Sequence, residues 1–272
     1  MKSHCNRKTK KEQPMALLHQ LLLLLLLLII PFSHSQDPLG NYCNKPITTT
    51  TTSANIERTL TELSTKAPQK SFATSIIGKG AAKVYGLAQC RQDVSANACQ
   101  SCVNNATKNL RNLCPNESDG RIWYDYCFVR YNTQNFIGEL DTGYGIFYYN
   151  TENVTDPKAF DKRLGALMDD VEAQAVKPGN RGLGKGEAKV SPFVTVYGLV
   201  QCTQDLEPLL CAQCAATAVG TVFPEYCLHR KGCRVLYSSC YVRYEIYPFF
   251  FPVETPGTSA VGESLEVVVA RP

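Results

Sequence analysis

Residues 84–90 read Val-Tyr-Gly-Leu-Ala-Gln-Cys, and residues 196–202 read Val-Tyr-Gly-Leu-Val-Gln-Cys. A second pair of segments follows nearly the same offset, with Cys-Phe-Val-Arg-Tyr at 127–131 and Cys-Tyr-Val-Arg-Tyr at 240–244. The offset is about 112 residues, far longer than the roughly 20–50 residues of a solenoid repeat. The chain therefore contains one whole domain twice.

The cysteines between these segments support the duplication, because their spacing is identical in the two copies. We place the first domain at residues 42–149, the second at 156–251 and a C-terminal tail at 252–272. The shared pattern is C-x8-C-x2-C, formed by Cys90, Cys99 and Cys102 and again by Cys202, Cys211 and Cys214.

Residues 1–35 predict a secretory signal peptide. A basic leader precedes an apolar run at residues 21–30, and Ser33 and Ser35 place small residues before the expected cleavage point. Translation from Met1 or from Met15 would give the same mature chain, so the start stays open. A membrane anchor is the alternative, but the run is shorter than the ~20 residues that a spanning helix needs. We therefore expect a secreted, extracellular protein.

Removal of the signal peptide changes both the charge and the cysteine count. The chain has 28 basic and 24 acidic residues, and without the leader's five basic residues and one acidic residue, 23 of each remain. Zero net charge removes the electrostatic basis for nucleic-acid binding. Loss of Cys5 leaves 12 of the 13 cysteines, an even number that predicts a disulfide framework. The apolar part of the tail is too short for a membrane anchor.

Hydrophobic periodicity predicts the elements of each copy. Apolar residues at helical spacing predict helices at 52–65 and 156–176, and the paired cysteines lie on predicted helices at 96–110 and 208–219. We expect an α+β fold of two tandem disulfide-rich domains, each a small antiparallel sheet packed with two helices. Strands are predicted from β-branched and aromatic residues at 84–87, 121–124, 127–131 and 145–149, and at 195–199, 234–236 and 240–247.

The tandem C-x8-C-x2-C pattern in a secreted α+β unit resembles the plant cysteine-rich secretory repeat domain, also called the stress-antifungal or ginkbilobin-homologous domain. In that family the domain occurs in secreted proteins, in plasmodesmata-located membrane proteins and in receptor-like kinase ectodomains. The resemblance covers nearly the whole mature chain and implies a secreted protein of the apoplast. It also implies the disulfides Cys43–Cys114, Cys90–Cys99, Cys102–Cys127, Cys202–Cys211 and Cys214–Cys240.

The second domain departs from this pattern at its start, where no cysteine matches Cys43. It carries Cys233 instead, six residues after Cys227. We predict a local Cys227–Cys233 bridge, which keeps the number of paired cysteines even, although sequence alone does not fix disulfide connectivity.

The resemblance further implies a candidate sugar site, because ginkbilobin binds mannose through an Asn, an Arg and a Glu. Amide, guanidinium and carboxylate groups all suit sugar hydroxyls. The first domain has Asn44 and Arg121, but Asn132 stands where the Glu is expected. The second has Arg234 and Glu245, but no Asn beside a first cysteine. The alternative is that both arginines are structural and pair with nearby acids or carbonyls.

Other candidate chemistry has ordinary explanations. His229 is the only histidine after the leader and is typical of a solvated loop, and the C-x-x-C pairs indicate structural disulfides. Asp169, Asp170 and Glu172 share a predicted helix with other charged residues and indicate a solvated face. The glycine-rich residues 179–186 predict a mobile loop. We therefore expect no enzyme, no cofactor and no metal.

Three sequons, at Asn105, Asn116 and Asn153, predict glycosylation. The favoured function is extracellular recognition in stress or defence signalling. The expected partner is a cell-wall glycan, a mannose-type carbohydrate or a receptor ectodomain, with no nucleic acid and no membrane anchor, and a homo-oligomer is left open. The alternative is a direct antifungal protein that acts by binding mannose.

Overall fold

An antiparallel sheet of five strands forms the centre of the first repeat. The computed structural model describes residues 37–251 and the strand at 265–270. The strands of this repeat are β1 (Gly40–Pro46), β2 (Phe72–Ile77), β3 (Val84–Cys90), β4 (Glu117–Trp123) and β5 (Cys127–Asn132). They lie in the order β1-β4-β5-β3-β2.

Two helices cover one face of this sheet, α1 (Thr50–Lys70) and α2 (Ala96–Leu113). Each begins at a hydroxyl cap: Thr49 accepts a hydrogen bond from the amide of Thr52, and Ser95 accepts one from the amide of Ala98. Because strand side chains alternate between faces, one set meets the helices. The resulting core includes Ile56, Leu60, Leu63, Val103, Leu110, Ile122 and Val129.

The second repeat has the same architecture. Its strands are β6 (Gly145–Asn150), β7 (Leu183–Ser191), β8 (Val194–Cys202), β9 (Gly232–Tyr237), β10 (Cys240–Glu245) and β11 (Leu265–Ala270), in the order β11-β6-β9-β10-β8-β7. Its helices are α3 (Pro157–Ala175), capped by Asp156, and α4 (Pro208–Thr217), which continues through a π-helical turn (Ala218–Val222) into α5 (Phe223–Tyr226). The α+β prediction of two helix-covered sheets is confirmed.

Strand β6 corrects the predicted division of the chain, which assigned residues 145–149 to the first domain. In the structure β6 pairs with β9, so that Tyr148 lies opposite Arg234. β1 has the same position in the first sheet, where Tyr42 lies opposite Arg121. Phe147 of β6 packs in the core of the second repeat. The second repeat therefore begins at β6, before residue 156.

The glycine-rich segment is also corrected, because its second half belongs to strand β7. A Cβ atom at Gly184 would lie 1.8 Å from the carbonyl oxygen of Val171 in α3, so the absent side chain lets the strand reach the helix. Gly182 just before the strand has φ +83°, a conformation that favours glycine. The glycines shape an ordered strand rather than the predicted loop.

The structure describes the two ends of the chain only in part. The predicted signal peptide at 1–35 lies outside the described residues, as do residues 252–264 and 271–272. Within the C-terminal tail, β11 pairs with β6 as the outermost strand of the second sheet. Among the helices described here, none combines the length and apolarity needed to cross a membrane.

Six disulfides in the described residues join the pairs expected from the sequence. In the third bridge the two repeats differ: Cys43 lies opposite Gly120, whereas the corresponding pair in the second repeat is Tyr149 opposite Cys233. The cysteine of this bridge therefore lies on β1 in the first repeat, whereas in the second it lies on β9, the neighbour of the equivalent strand β6. The bridges are Cys43–Cys114, Cys90–Cys99, Cys102–Cys127, Cys202–Cys211, Cys214–Cys240 and Cys227–Cys233.

The helix-free faces of the two sheets meet, and both repeats lie in one compact unit. The indole N–H of Trp123 donates a hydrogen bond to the carbonyl oxygen of Tyr237 (3.0 Å). Trp123 also shares a buried cluster with Tyr144, Ile146 and Leu236. Side chains on the helix-free faces are therefore enclosed between the repeats.

Candidate functional site

The four residues of the candidate sugar site lie in different surroundings. Asn44 is exposed on β1, whereas Arg121, Arg234 and Glu245 keep only 7%, 5% and 2% of their surface exposed. Both arginines contact the opposite repeat. The structure does not bring the four residues together in one open pocket, and the arginines have the structural partners that the alternative interpretation expects.

Arg121 is held by acids and by the second repeat. Its guanidinium lies 3.1 Å from a carboxylate oxygen of Asp119 and 2.9 Å from one of Asp141. It also donates a hydrogen bond to the hydroxyl of Ser238 (2.8 Å) and lies 4.9 Å from the centre of the Tyr42 ring. Each direction in which this side chain could bind a ligand is already occupied.

Arg234 makes the corresponding contacts in the second repeat. Its guanidinium lies 2.8 Å from a carboxylate oxygen of Asp125, in the β4–β5 turn of the first repeat, and 5.7 Å from the ring centre of Tyr148. Asp125 and Ser238 occupy equivalent turns, so the two arginines reach across the interface reciprocally, as in a symmetric dimer.

Glu245 pairs within its own strand. Its carboxylate accepts a hydrogen bond from Nε of Arg243 (2.8 Å), and Arg243 lies 4.3 Å from the ring centre of Phe249. Burial alone lowers the pKa of Arg243, but the neighbouring Tyr241 and Glu245 outweigh this and raise the pKa well above its ordinary value. Arg243 therefore stays charged beside its carboxylate partner, as a buried ion pair requires.

The buried carboxylate beside the arginines changes strands between the repeats. In the first, Asp119 on β4 lies opposite Asn132 on β5; in the second, Gly232 on β9 lies opposite Glu245 on β10. A Cβ atom at residue 232 would lie 1.8 Å from a carboxylate oxygen of Glu245, so the longer acid needs this glycine. In the first repeat, Asn132 stands where the Glu is expected, and Asp119 on the adjacent strand supplies the carboxylate instead.

The register also identifies an Asn in the second repeat, where the sequence analysis found none beside a first cysteine. Asn44 follows Tyr42 by two residues on β1, and Asn150 follows Tyr148 by two residues on β6. Since Tyr42 and Tyr148 face equivalent arginines, Asn150 is the counterpart of Asn44. The second repeat therefore contains an Asn, an Arg and a Glu in the implied order, with the latter two buried.

Backbone amides strengthen the reciprocal interface. The side-chain oxygen of Gln89 accepts from the amide of Gln204 (2.8 Å), and that of Gln201 accepts from the amide of Gln92 (3.2 Å). In the same way, Asp93 accepts from Phe251 (2.7 Å) and Asp205 accepts from Gly138 (2.8 Å). The repeated Gln and Gln-Asp motifs of the sequence are therefore interface residues.

The sequence interpretation missed the acids of this interface, Asp119, Asp125 and Asp141, and the arginines Arg130 and Arg243. The arginines were visible in the repeated Val-Arg-Tyr motif at 129–131 and 242–244. Asp119 and Asp125 gave no comparable signal, since Gly232 and Ser238 stand at the equivalent positions of the second repeat.

The other candidate residues from the sequence do not come together in one site. His229 Nδ1 lies 2.9 Å from a carboxylate oxygen of Asp161, and both side chains are partly exposed. Burial and the nearby Asp169 raise the pKa of Glu172 to about 7. Within residues 37–251, no group of three or more His, Cys, Asp or Glu side chains is arranged to hold a metal ion.

Comparison with known proteins agrees with the fold and the duplication. Residues 41–134 and 148–247 each match the salt stress response/antifungal domain family. The chain is 56% identical over 210 residues to cysteine-rich repeat secretory protein 55 of Arabidopsis thaliana, across 76% of this chain and 80% of that protein. It is 38% identical over 216 residues to the antimicrobial ginkbilobin-2-like protein of Castanea crenata, across 78% and 89% of the two chains.

A solved structure shares the tandem arrangement. The tandem DUF26 ectodomain of the Arabidopsis thaliana cysteine-rich receptor-like protein PDLP8 superposes with a TM-score of 0.69 at 26% identity, covering 79% of this chain and all of that one. Coverage of 79% of this chain takes in both repeats. The chain therefore belongs to the salt stress response/antifungal family of cysteine-rich repeat proteins, as a member that carries the domain twice.

Proposed function

We propose that this chain is a secreted, non-catalytic protein of the apoplast that recognises a cell-surface protein, such as a receptor ectodomain, in stress or defence signalling. Its relatives include proteins named as secretory and proteins named as receptor-like kinases, such as cysteine-rich receptor-like protein kinase 25 of Arabidopsis thaliana. Recognition between extracellular proteins of this family is consistent with both groups of names.

The observation that carries the proposal is the buried, reciprocal interface between the repeats. It encloses Arg121, Arg234 and Glu245, the charged residues that a sugar would need. It also joins two small sheets into one body, so that a partner meets a surface spanning both repeats. A specific protein partner covers roughly 800 Å² of surface, whereas a monosaccharide requires a concave site with accessible polar groups.

The alternative function is direct antifungal activity through mannose binding. It is supported by the set of Asn150, Arg234 and Glu245 in the second repeat and by the name of the Castanea crenata relative. This function requires the ion pairs of Arg234 and Arg243 to open before a sugar can replace their partners. Since removal of a partner from a buried charge costs several kcal/mol, we rank it second.

One binding experiment separates the two functions. The oxidised, secreted protein is applied to a glycan array containing mannose, chitin oligomers and cell-wall fragments, and in parallel to a panel of plant receptor ectodomains. Asn150→Ala and Asn44→Ala form a matched pair, because they occupy equivalent positions and neither side chain belongs to the core.

Saturable ectodomain binding that neither substitution changes supports the proposed function. Mannose binding that is lost in Asn150→Ala but kept in Asn44→Ala supports the alternative, and a hyphal growth-inhibition assay with the same variants then tests antifungal activity. Absence of saturable binding to every glycan and every ectodomain contradicts both. Light scattering on the same preparation measures the oligomeric state, which the sequence leaves open.

A further inference from the structure

Strand β2 forms one outer edge of the first sheet, where it pairs with β3 alone. The amide of Cys90 on β3 donates a hydrogen bond to the carbonyl oxygen of Ser71 (2.8 Å). Backbone groups alternate in direction along an antiparallel strand, so those of Phe72, Thr74 and Ile76 point outward, away from β3. Within the part of the chain that the structure describes, no strand pairs with this edge.

The second repeat has charged residues where β2 has uncharged ones. In register with their partner strands, Lys185 of β7 corresponds to Thr74, and Glu187 corresponds to Ile76. Charges on an outer strand discourage pairing with another chain, and so does a proline, such as Pro46 at the end of β1. β2 contains no charge and no proline over its six residues, and Ile76 keeps 58% of its surface exposed.

β2 is complementary to a second copy of itself. When two copies pair antiparallel about a two-fold axis at Thr74, this residue faces Thr74 of the second copy, and Phe72 faces Ile76 of the second copy on the same face of the sheet. The three positions that meet are those with outward-pointing backbone groups, so a continuous ladder of hydrogen bonds can form. Thr opposite Thr and an aromatic residue opposite a β-branched one are favourable cross-strand pairs.

The helix beside this edge carries exposed charges of both signs. Ser75 of β2 donates to the carboxylate of Glu62 on α1 (2.8 Å), and Glu57 and Lys66 of α1 line the groove at the same edge. In a two-fold pair the two α1 helices run antiparallel, so Glu57 of one copy lies toward Lys66 of the other. Within one copy Glu57 pairs with Arg111, and Lys66 pairs with Glu62, but solvent-exposed pairs exchange partners at little cost.

We propose that the protein forms a two-fold symmetric dimer through β2. Antiparallel pairing of the two β2 strands joins the five-stranded sheets of two copies into one sheet of ten strands. A strand of another protein could use the same backbone groups, but the match of every outward position when β2 faces itself favours a second copy. The inference goes beyond the proposed function, since the dimer requires no receptor ectodomain, and failure of ectodomain binding would not affect it.

Sedimentation equilibrium measures the dimer directly. The oxidised, secreted protein is studied at concentrations on the order of 1–200 µM, a range that covers weak specific interfaces. We expect the mean mass to rise from that of one copy towards that of two. Thr74→Lys introduces the residue that the second repeat has at this position and places like charges opposite each other across the axis, so we expect the dimer affinity to fall by about tenfold or more.

Gln213→Lys is the matched control, because it adds the same charge at an exposed position on α4, in the other repeat. It should dimerise as the unaltered chain does, and equal thermal unfolding midpoints establish that both variants are folded. If Thr74→Lys does not fold, hydrogen exchange of the unaltered protein replaces it. We expect the outward amides of Thr74 and Ile76 to exchange at least about tenfold more slowly at high protein concentration than after dilution.

Three results overturn the proposal. The first is the mass of a single copy at every concentration, with equally fast exchange of the Thr74 and Ile76 amides, and the edge would then be left for a strand of another protein. The second is a dimer whose affinity Thr74→Lys leaves unchanged, since that dimer must use a different surface. The third is loss of the dimer in both lysine variants, because the effect would then come from the added charge and not from β2.

Discussion

Gly184 and Gly165 show how the surroundings of one glycine decide its effect. Gly184 on β7 lies against the backbone of α3, where a Cβ atom would meet the carbonyl oxygen of Val171 at 1.8 Å. Gly165 lies within α3 itself, with no atom within 4 Å of an added Cβ. The first position excludes a side chain by close packing, whereas the second only weakens a helix.

We therefore predict opposite effects for the same substitution. Gly184→Ala should lower the free energy of unfolding by about 1–3 kcal/mol or more, because the strand must move away from α3. Gly165→Ala should raise it by about 0.5–1 kcal/mol, the usual gain from removing a glycine within a helix. Urea unfolding of the oxidised protein measures both, and a neutral Gly184→Ala would show that β7 does not depend on this contact.

Glu172 should make stability depend on pH. Its pKa in the folded protein is raised to about 7, by burial first and by Asp169 second, so the folded state binds a proton more tightly than the unfolded chain. The stabilisation is fully present below pH ~4.5 and is lost as pH rises through about 7. Because the side chain is half-buried, we expect an effect of about 1 kcal/mol after screening by solvent.

The Glu172→Gln variant tests this directly. It should flatten the fall in unfolding free energy between pH ~4.5 and ~7 and be more stable than the unaltered chain at pH ~8. Asp170→Asn, an exposed neighbour on the same helix, is the control and should leave the pH profile unchanged. An unaltered pH profile in Glu172→Gln would rule out this residue as the cause.

At the residue scale, the sequence showed which arginines matter more readily than it showed which acids pair with them. The repeated Val-Arg-Tyr motif indicates that Arg130 and Arg243 matter, but not that they lie between the sheets. Their acids come from other strands and turns, such as Asp141 beside Arg130 (2.8 Å). Only the folded chain brings such residues together, and so the candidate sugar site could be named but not judged from sequence.

The elements of the two repeats differ most in their third disulfide. Cys43–Cys114 closes a loop of 71 residues, whereas Cys227–Cys233 closes one of 6. In the chain-entropy description the longer loop stabilises the folded state by about 2 kcal/mol more. The first repeat is therefore more strongly cross-linked than the second, although both have three bridges.

The three sequons lie on different elements, and this predicts different glycosylation. Asn105 is half-buried within α2, and the hydroxyl of Thr107 in its sequon is buried and donates to the carbonyl oxygen of Val103 (2.9 Å). Asn116 and Asn153 are exposed outside the helices. We expect glycans on Asn116 and Asn153 and none on Asn105, because helix formation competes with modification there.

Glycopeptide mass spectrometry on protein secreted from plant cells, with isotopic labelling of deglycosylated asparagines, measures all three sites in one sample. Asn116 and Asn153 serve as internal controls for the modification machinery. Full occupancy of Asn105 would contradict the prediction and would mean that modification precedes folding of α2.

The main helices and most strands were predictable because their patterns are regular. The start of α3 at Asp156 and Pro157 follows directly from capping chemistry. β1 and β7 were missed because β1 has no β-branched residue and β7 contains two glycines. β2 was missed although Thr74, Ile76 and Ile77 favour a strand. The assignment of β6 failed because neighbours in sequence were taken as neighbours in the fold.

The whole molecule depends on charges enclosed between two sheets. Ion pairs of this kind stabilise little relative to apolar packing, but the removal of one partner leaves a buried charge uncompensated. The interface should therefore be specific, because it is stable only when each arginine between the sheets keeps its acidic partner. The two repeats are expected to unfold as one cooperative unit.

We predict that Arg234→Ala lowers the free energy of unfolding by about 1–3 kcal/mol, because Asp125 of the other repeat loses its closest cation but is partly exposed and keeps Arg243 at 3.7 Å. Arg163→Ala, exposed on α3, is the matched control and should change stability by less than about 0.5 kcal/mol. Calorimetry should show a single transition in the control. A double-mutant cycle with Asp125→Ala measures the coupling, and no coupling would mean that the pair does not join the repeats.

The relocated cysteine has a mechanical consequence. In the first repeat a covalent bond fastens β1 to the end of α2, whereas β6 of the second repeat contains no cysteine and is held in its sheet by hydrogen bonds and packing alone. Under tension applied to the two ends of the chain, β1 stays fastened by its disulfide, whereas no disulfide holds β11 and then β6 in the second sheet. The duplicated halves would thus yield at different forces, and the second would act as the extensible half of the molecule.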